Sequence, residues 1–424
     1  MNHKDAGNSI ALFSLFHHDV TSNINGESFL KEAHLDALHS APSSNDESIV
    51  QVILEIVKEA TQHCQNNEIG ITLTGGLDSR VILAALLHLG FRPICFTYGN
   101  PLNKDIIISK RICKTLGLEY MNTVSEKPSA QSYIEDVKTT LSIDHGNAHL
   151  HRAHRMAAIK SFTNKHKIKV LFTGHFGGEQ ISGLSYNNYF SSSIFKAFNE
   201  DNKEIEPLLK STLKSYFIND TSYSVNKLVE QIEQLNWMGD DKLQNKLYFL
   251  YDLVGMNHHK QDIRIYSKFV KNVVPVYLDE RFIMRLMSSP HHFYRKKVGK
   301  LSSLSHPKLY CFLIERLFPR LLEFELSNGY KPRDYQKGLL YYAIKRSINK
   351  YFLKQYNPPS FSYGEWYVDF VSKNSALIEN SIWEHYDKKA YFKALKHEDH
   401  MSNEGYWHKY SNPIFFNLRK KLIK

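Results

Sequence analysis

The sequence predicts an α/β protein: a doubly wound parallel sheet followed by a mainly helical C-terminal region. Short apolar runs at residues 70–74, 93–98, 120–124 and 169–173 read as strands. Helical patterns of roughly 10–18 residues alternate with them, as expected of parallel strands covered on both faces. Past about Tyr186 this rhythm gives way to longer helical patterns rich in aromatic residues, as in YDLVGMNHHKQDIRIYSKFVKNVV and PKLYCFLIERLFPRLLEF.

In chain order, residues 1–45 are polar and mixed, and an APSSNDES stretch leads from them into a helix over about 48–63. The first strand ends in Thr-Gly-Gly-Leu-Asp-Ser, and a helical pattern starts at once. Between the second and third strands Ile108, Ile112 and Leu116 recur at i, i+4 and i+8, and Gly117 supplies a C-cap. This divides the chain into an N-terminal extension (1–45), a core of alternating strands and helices (46–190) and a mainly helical region that completes the domain (191–424). No internal repeat stands out.

A chain of 424 residues exceeds one ordinary core. Its 42% hydrophobic and 23% charged residues exclude a disordered protein. No apolar run approaches the ~18 residues of a membrane span. The start, MNHKDAGNSI, lacks the features of a secretory signal. Cys64, Cys95, Cys113 and Cys311 have no CxxC spacing and fit free thiols in a reducing compartment, so a cytoplasmic location is expected. The net charge of +11 permits anionic partners, but the lysines are spread along the chain. A solvated basic surface is the simplest reading and polyphosphate or acidic substrates the next; nucleic acid is not an expected partner.

Chemistry concentrates at GITLTGGLDSRVILAALLHLG, residues 70–90. In an open parallel sheet, ligands sit at the carboxyl ends of strands beside the N-terminus of the crossover helix. Gly75 and Gly76 let the backbone turn tightly and approach an anion, and Ser79 adds a hydroxyl. The helix N-terminus favours phosphate. Asp78 would repel that phosphate unless a cation lay between, which implies Mg²⁺. A simpler reading makes Asp78 and Ser79 helix caps and the glycines a turn. The order TGGLDS is neither the Walker sequence nor the dinucleotide GxGxxG.

LTGGLDSR resembles the PP-loop of ATP pyrophosphatases in the SGGLDS form found in asparagine-synthetase-like ligases, which have a PP-loop (HUP-like) sheet. VLFTGHFGGEQISG, residues 170–183, is similar to the family's strand-end segment GHGGDELFGG. VVPVYLDERF, residues 273–282, is similar to its VPFLD element, and GEWYVDF near Trp366 to its C-terminal helices, more weakly. The resemblance covers roughly residues 50 to 380.

It implies that ATP is bound with magnesium, that a substrate carboxylate attacks the α-phosphorus with loss of pyrophosphate, and that a nitrogen nucleophile displaces AMP from the acyl-adenylate. Carried onto this chain, Thr74, Gly75, Gly76 and Ser79 contact phosphate and Asp78 binds magnesium. Backbone near Leu73, Phe96 and Thr97 holds the adenosine, and Gly174 and Gly177 shape the second loop. Asp105 looks like the acidic residue that opens the next helix in relatives, or is an ordinary helix-start carboxylate.

Three departures qualify this. The family's paired acidic residues fall on Gly178 and Glu179, leaving Glu179 as a metal ligand and catalytic residue or as a structural acceptor. The glutamate that precedes the family's PFLD segment is replaced by Lys271 and Asn272, so aspartate amidation is not the expected reaction. The pyrophosphate-facing lysine has no fixed counterpart; Lys300 is taken for it, with Lys296 and Lys297 as alternatives, and each could equally be a surface lysine. Glutamine-dependent relatives carry Cys after the initiator Met, whereas Asn2 stands here and about 70 residues precede the loop. A glutaminase domain is therefore not expected ahead of the loop. The nitrogen would then come from an amine on a small-molecule, peptide or glycan substrate, or from ammonia delivered by a separate protein. Relatives of this kind serve natural-product and surface-polysaccharide pathways.

DHGNAHLHRAHR offers Asp144, His145, His149, His151 and His154 as a metal site, as an acceptor-pocket segment through Asp144, or as a polar helix start. The paired histidines His17–His18, His258–His259 and His291–His292 read as surface or loop residues, and FFNLRKKLIK as a terminal helix rather than a membrane anchor. An AMP-forming amide ligase is thus the expectation. Its rivals are a catalytically inactive relative serving as a binding subunit and a PP-loop enzyme that modifies RNA.

Overall fold

The computed structural model describes residues 3–17, 19–20, 28–123, 130–143, 152–183, 192–200, 204–295, 307–327, 329–338, 378–395 and 404–422, with a few isolated positions between 340 and 374. Its centre is a sheet of five parallel strands: β1 (Ile69–Thr72), β2 (Ile94–Tyr98), β3 (Tyr120–Thr123), β4 (Val170–Thr173) and β5 (Asn272–Pro275). Their spatial order is β3-β2-β1-β4-β5. The first four fall where the sequence places them. The fifth lies at the end of what the sequence pattern predicts as helix; instead the helix stops at Tyr266, and Val273 and Val274 pair with Leu171 and Phe172. A short apolar run has no periodicity of its own, so only the waiting edge of β4 assigns it to the sheet.

The chain moves outward from β1 through β2 to β3, then returns to lay β4 on the other side of β1. That reversal is the topological switch point, and it opens a crevice at the carboxyl ends of β1 and β4. One face of the sheet is covered by the helices Asp46–Thr61, Asp78–His88 and Pro307–Leu317, burying Ile53, Ile82, Leu313 and their neighbours. The other face packs Phe96 and Leu171 against Ile159 and Phe162 of helix Ala153–Lys165, with Ile265 and Tyr266 beside them. Cys95, Cys113 and Cys311 are buried free thiols, and Cys64 is a half-buried one.

A second core lies among the helices. The first residues read as a polar extension, yet helix His3–Phe16 buries Ile10, Leu12, Phe13, Leu15 and Phe16 there. Phe13 stacks on Phe415 of the last helix at 4.4 Å between ring centroids. The helix enters because Gly7 lets it lie on the Ser222 carbonyl; a Cβ at Gly7 would sit 1.6 Å from that oxygen. Gly7→Ala is therefore expected to destabilise the protein by about 2–4 kcal/mol, read as a lower urea midpoint with an unchanged slope. No helix among the described residues is long and apolar enough to cross a membrane.

Candidate active site

Two strand-end segments meet at the switch point. The first runs from Leu73 to Asp78 after β1, and the second from Gly174 to Gln180 after β4. Between them lies a cleft of ≈ 300 Å³. Leu73, Phe96 and Thr97 line one part of it, Thr74, Asp78 and Ser79 another, and His175, Phe176, Glu179, His259 and Tyr266 a third.

The glycine loop is ordered by its own side chains. Thr74 N–H donates to Ser79 Oγ at 3.0 Å and Gly76 N–H to Thr74 Oγ1 at 3.2 Å. Gly75 N–H donates to Asp105 Oδ1 at 3.1 Å. The hydroxyls of Thr74 and Ser79 lie 3.1 Å apart. Hydroxyls rotate freely, so they can turn from one another toward an incoming anion. At the strand end, Leu73 N–H donates to the Phe96 carbonyl, and the Leu73 carbonyl accepts from Thr97 Oγ1 at 2.6 Å.

Asp78 opens the crossover helix and points into the cleft. The backbones of the two segments can approach because Gly174 and Gly177 carry no side chain. A Cβ on Gly174 would lie 2.8 Å from Ser79 N, and one on Gly177 2.4 Å from Asp78 Oδ1. Tyr310 donates its hydroxyl to Asp78 Oδ1, and Tyr277 donates to the Asp78 carbonyl at 2.9 Å. Desolvation pushes the Asp78 carboxyl up to about 7; the Tyr310 hydrogen bond opposes this and the nearby Glu179 charge adds to it. Glu179 in turn lies 3.4 Å from His259 Nε2. Two carboxylates that repel one another in a partly desolvated cleft are suited to a divalent cation. Mg²⁺ needs only one or two protein carboxylates when phosphates and water complete its shell. No cluster of three or more metal-binding side chains stands among the described residues, so a site closed by protein ligands alone is not formed there.

The third wall carries two conformational outliers. Phe176 adopts a left-handed backbone with φ 73°, rare for a bulky residue. Its ring packs on Gly255, whose Cβ would lie 2.9 Å from it, and meets Tyr251 edge-on at 5.2 Å. Gly255 and Tyr251 belong to a π-helix, Phe249–His259, a conformation concentrated at functional sites. A buried chain of polar contacts ties these parts together. Tyr294 N–H donates to His292 Nδ1 at 3.2 Å, so the proton of a neutral His292 sits on Nε2 and points at the Tyr251 hydroxyl, 3.0 Å away. Tyr251 donates to Gln180 Oε1 at 2.9 Å, and Gln180 Nε2 donates to the Tyr277 carbonyl.

Beyond His175 lies Asp262, 2% exposed, which receives Arg152 Nη1 at 2.5 Å, Arg155 Nε at 3.2 Å and His175 Nε2 at 3.4 Å. Burial alone would push its carboxyl up, but the two guanidiniums and the imidazole hold it well below the usual carboxylate range. A carboxyl depressed in the folded state stabilises the fold above its unfolded value near 4 and loses that contribution as pH falls below it. Asp262→Asn is expected to cost about 3–5 kcal/mol at pH 7 by stranding Arg152. The variant's deficit should shrink in melts taken from pH 5 to pH 3.

The expected residues fall as follows. Leu73, Thr74, Asp78, Ser79, Phe96, Thr97, Gly174 and Glu179 line the one cleft, with Gly75 and Gly76 in the turn beneath it. Asp105 is a helix-start residue whose carboxylate reaches the loop. Asn272 is exposed at the start of β5 and does not line the cleft. Lys296, Lys297 and Lys300 lie outside the described residues, as do Asp144, His145, His149 and His151. His154 is buried against Tyr98 at 5.8 Å between ring centroids. Sequence reasoning missed Tyr310 and Asp262, which come from remote segments without a local signal, and the role of Tyr277, although its segment 273–282 was singled out. The surface reading of the paired histidines is corrected: His17, His258, His291 and His292 are buried, with His17, His291 and His292 drawn in by Tyr216, Asp46 and Tyr251, and His259 lines the cleft. Phe176 did carry a local signal, since a phenylalanine stands where GHGGDELFGG has glycine.

A five-stranded parallel sheet with a TGGLDS turn and a second carboxylate-bearing loop at its switch point defines a nucleotide-binding α/β protein of the PP-loop class. The profile of the asparagine synthase family matches residues 52–297, and the chain belongs to that family. The match spans β1 through β5 and both strand-end segments. No curated protein matches the sequence significantly. Family membership supports ATP-dependent amide ligation in general.

Proposed function

We propose that the protein is an AMP-forming amide ligase that activates a carboxylate as its acyl-adenylate. The observation that carries this reading is the convergence of Asp78 and Glu179, from two separate strand ends, on a cleft that Thr74, Asp78 and Ser79 of the TGGLDS turn also line. Asp78 and Glu179 would hold magnesium, which when bound supplies positive charge for the leaving pyrophosphate. Thr74 and Ser79 would donate hydroxyls to phosphate, and the N-terminus of helix Asp78–His88 adds positive partial charge. Tyr310 and Tyr277 hold the Asp78 side chain and backbone for this task. Leu73, Phe96 and Thr97 would face the adenosine.

The nitrogen is proposed to come from a substrate amine or from ammonia supplied by another protein, in a natural-product or surface-polysaccharide pathway. Gly178 and Asn272 are what an inactive binding subunit would rest on; the retained Asp78–Glu179 pair favours the enzyme. Incubation with Mg-ATP and a panel of amino-acid, peptide and uronic carboxylates is expected to yield AMP and pyrophosphate in equal amounts, dependent on the carboxylate. Release of ADP, or no nucleotide turnover with any member, would refute the ligase reading.

A further inference from the structure

Arg80 is the residue after the TGGLDS turn, and its guanidinium is 0% exposed. Buried arginines ordinarily face a carboxylate. This one is spent on four main-chain carbonyls. Nη2 donates to Gly75 O and to Glu325 O, each at 3.0 Å. Nη1 donates to Phe324 O at 2.7 Å and to Leu321 O at 3.3 Å. The other end of the Gly75 residue is also held, because its N–H donates to Asp105 Oδ1 at 3.1 Å. Space is tight as well: a Cβ on Gly75 would lie 2.8 Å from that same oxygen.

From these contacts we infer that Arg80 and Asp105 form a clamp on Gly75 that sets the phosphate loop in its binding conformation, and that both are positioning residues for ATP. The inference rests on reading the cleft as an ATP site. With Gly75 pinned from both sides, its N–H is directed at Asp105. The groups presented to an anion are then those tied only to rotatable hydroxyls: Gly76 N–H, Thr74 Oγ1 and Ser79 Oγ. The clamp also explains a role for residues 321–325, which lie beyond the matched family segment yet supply three of the four carbonyls. A lysine cannot replace Arg80, since a single ammonium lacks the planar fork that spans both the loop and that segment.

The test uses the full chain without nucleotide and then with Mg-ATP as the probe. In Arg80→Lys, amide hydrogen exchange across residues 74–77 should accelerate at least about tenfold while amides of β1 and β4 keep their protection, and the Mg-ATP Kd should rise by about tenfold or more. Asp105→Ala should give the same pattern. In Arg80→Ala, added guanidinium should restore part of the affinity. A folded Arg80→Lys protein whose loop exchange and Mg-ATP affinity stay within twofold of the parent overturns the clamp. So does exchange that rises equally in the loop and the strands, which would make Arg80 a core residue alone. If the parent protein binds no Mg-ATP, the ATP reading fails, and the exchange measurement still decides whether the clamp exists.

Discussion

Replacing Asp78 with alanine is expected to reduce carboxylate-dependent pyrophosphate release by about 10²–10³-fold or more, the scale lost when charge stabilisation at a reacting centre is removed. Alanine also takes the acceptor from the buried Tyr310 hydroxyl, so the stability consequence of losing the charge is read from asparagine. In the free protein the Asp78 carboxyl is pushed up to about 7 by desolvation, and the Glu179 charge adds to that strain. Removing a charge that is poorly accommodated relieves the fold. Asp78→Asn keeps an oxygen for the Tyr310 hydroxyl and should melt at or a few degrees above the parent while remaining inactive. A melting point well below the parent, or activity retained, would show that Asp78 is a structural cap on its helix instead.

Gly177→Ala is the second large effect expected, though it adds only one methyl group. That methyl would meet Asp78 Oδ1 at 2.4 Å and the Tyr277 ring at 2.9 Å. Neither neighbour can retreat freely: Tyr310 holds the carboxylate and Tyr277 is itself buried. The second loop must move, carrying Glu179 away from Asp78. A displacement near 1 Å in a preorganised site costs on the order of 10²-fold in rate. Gly239→Ala is the control, because its nearest contact would be an ordinary 3.5 Å to Asn245 Oδ1. Pyrophosphate release measured on both variants, alongside their melting points, separates displacement of the carboxylate from general damage. Equal activities would remove the second loop from the metal-binding proposal.

The sequence alone determined the sheet's first four strands, the turn at Thr74–Ser79 and the two loops that face each other. Those features are local. A strand needs a run of apolar residues, a phosphate turn needs glycines before a helix start, and each is written in fewer than ten neighbouring positions. Residues 170–183 were legible for the same reason, as a strand followed at once by a glycine turn.

What surrounds Asp78 was decided only by the tertiary structure. Tyr310 and Tyr277 reach it across more than 190 positions of chain, Arg80 finds its carbonyls near residue 324, and Asp262 gathers Arg152, Arg155 and His175. A tyrosine or an arginine in a helical pattern carries no mark of what it will touch once the helix packs. Strand β5 and helix His3–Phe16 show the same limit: four apolar-to-polar residues and a mixed terminus acquire their places from the edge of β4 and from the groove at Ser222. Local preference proposes a conformation, but burial against a distant partner settles it, and the partner is invisible until the chain has folded.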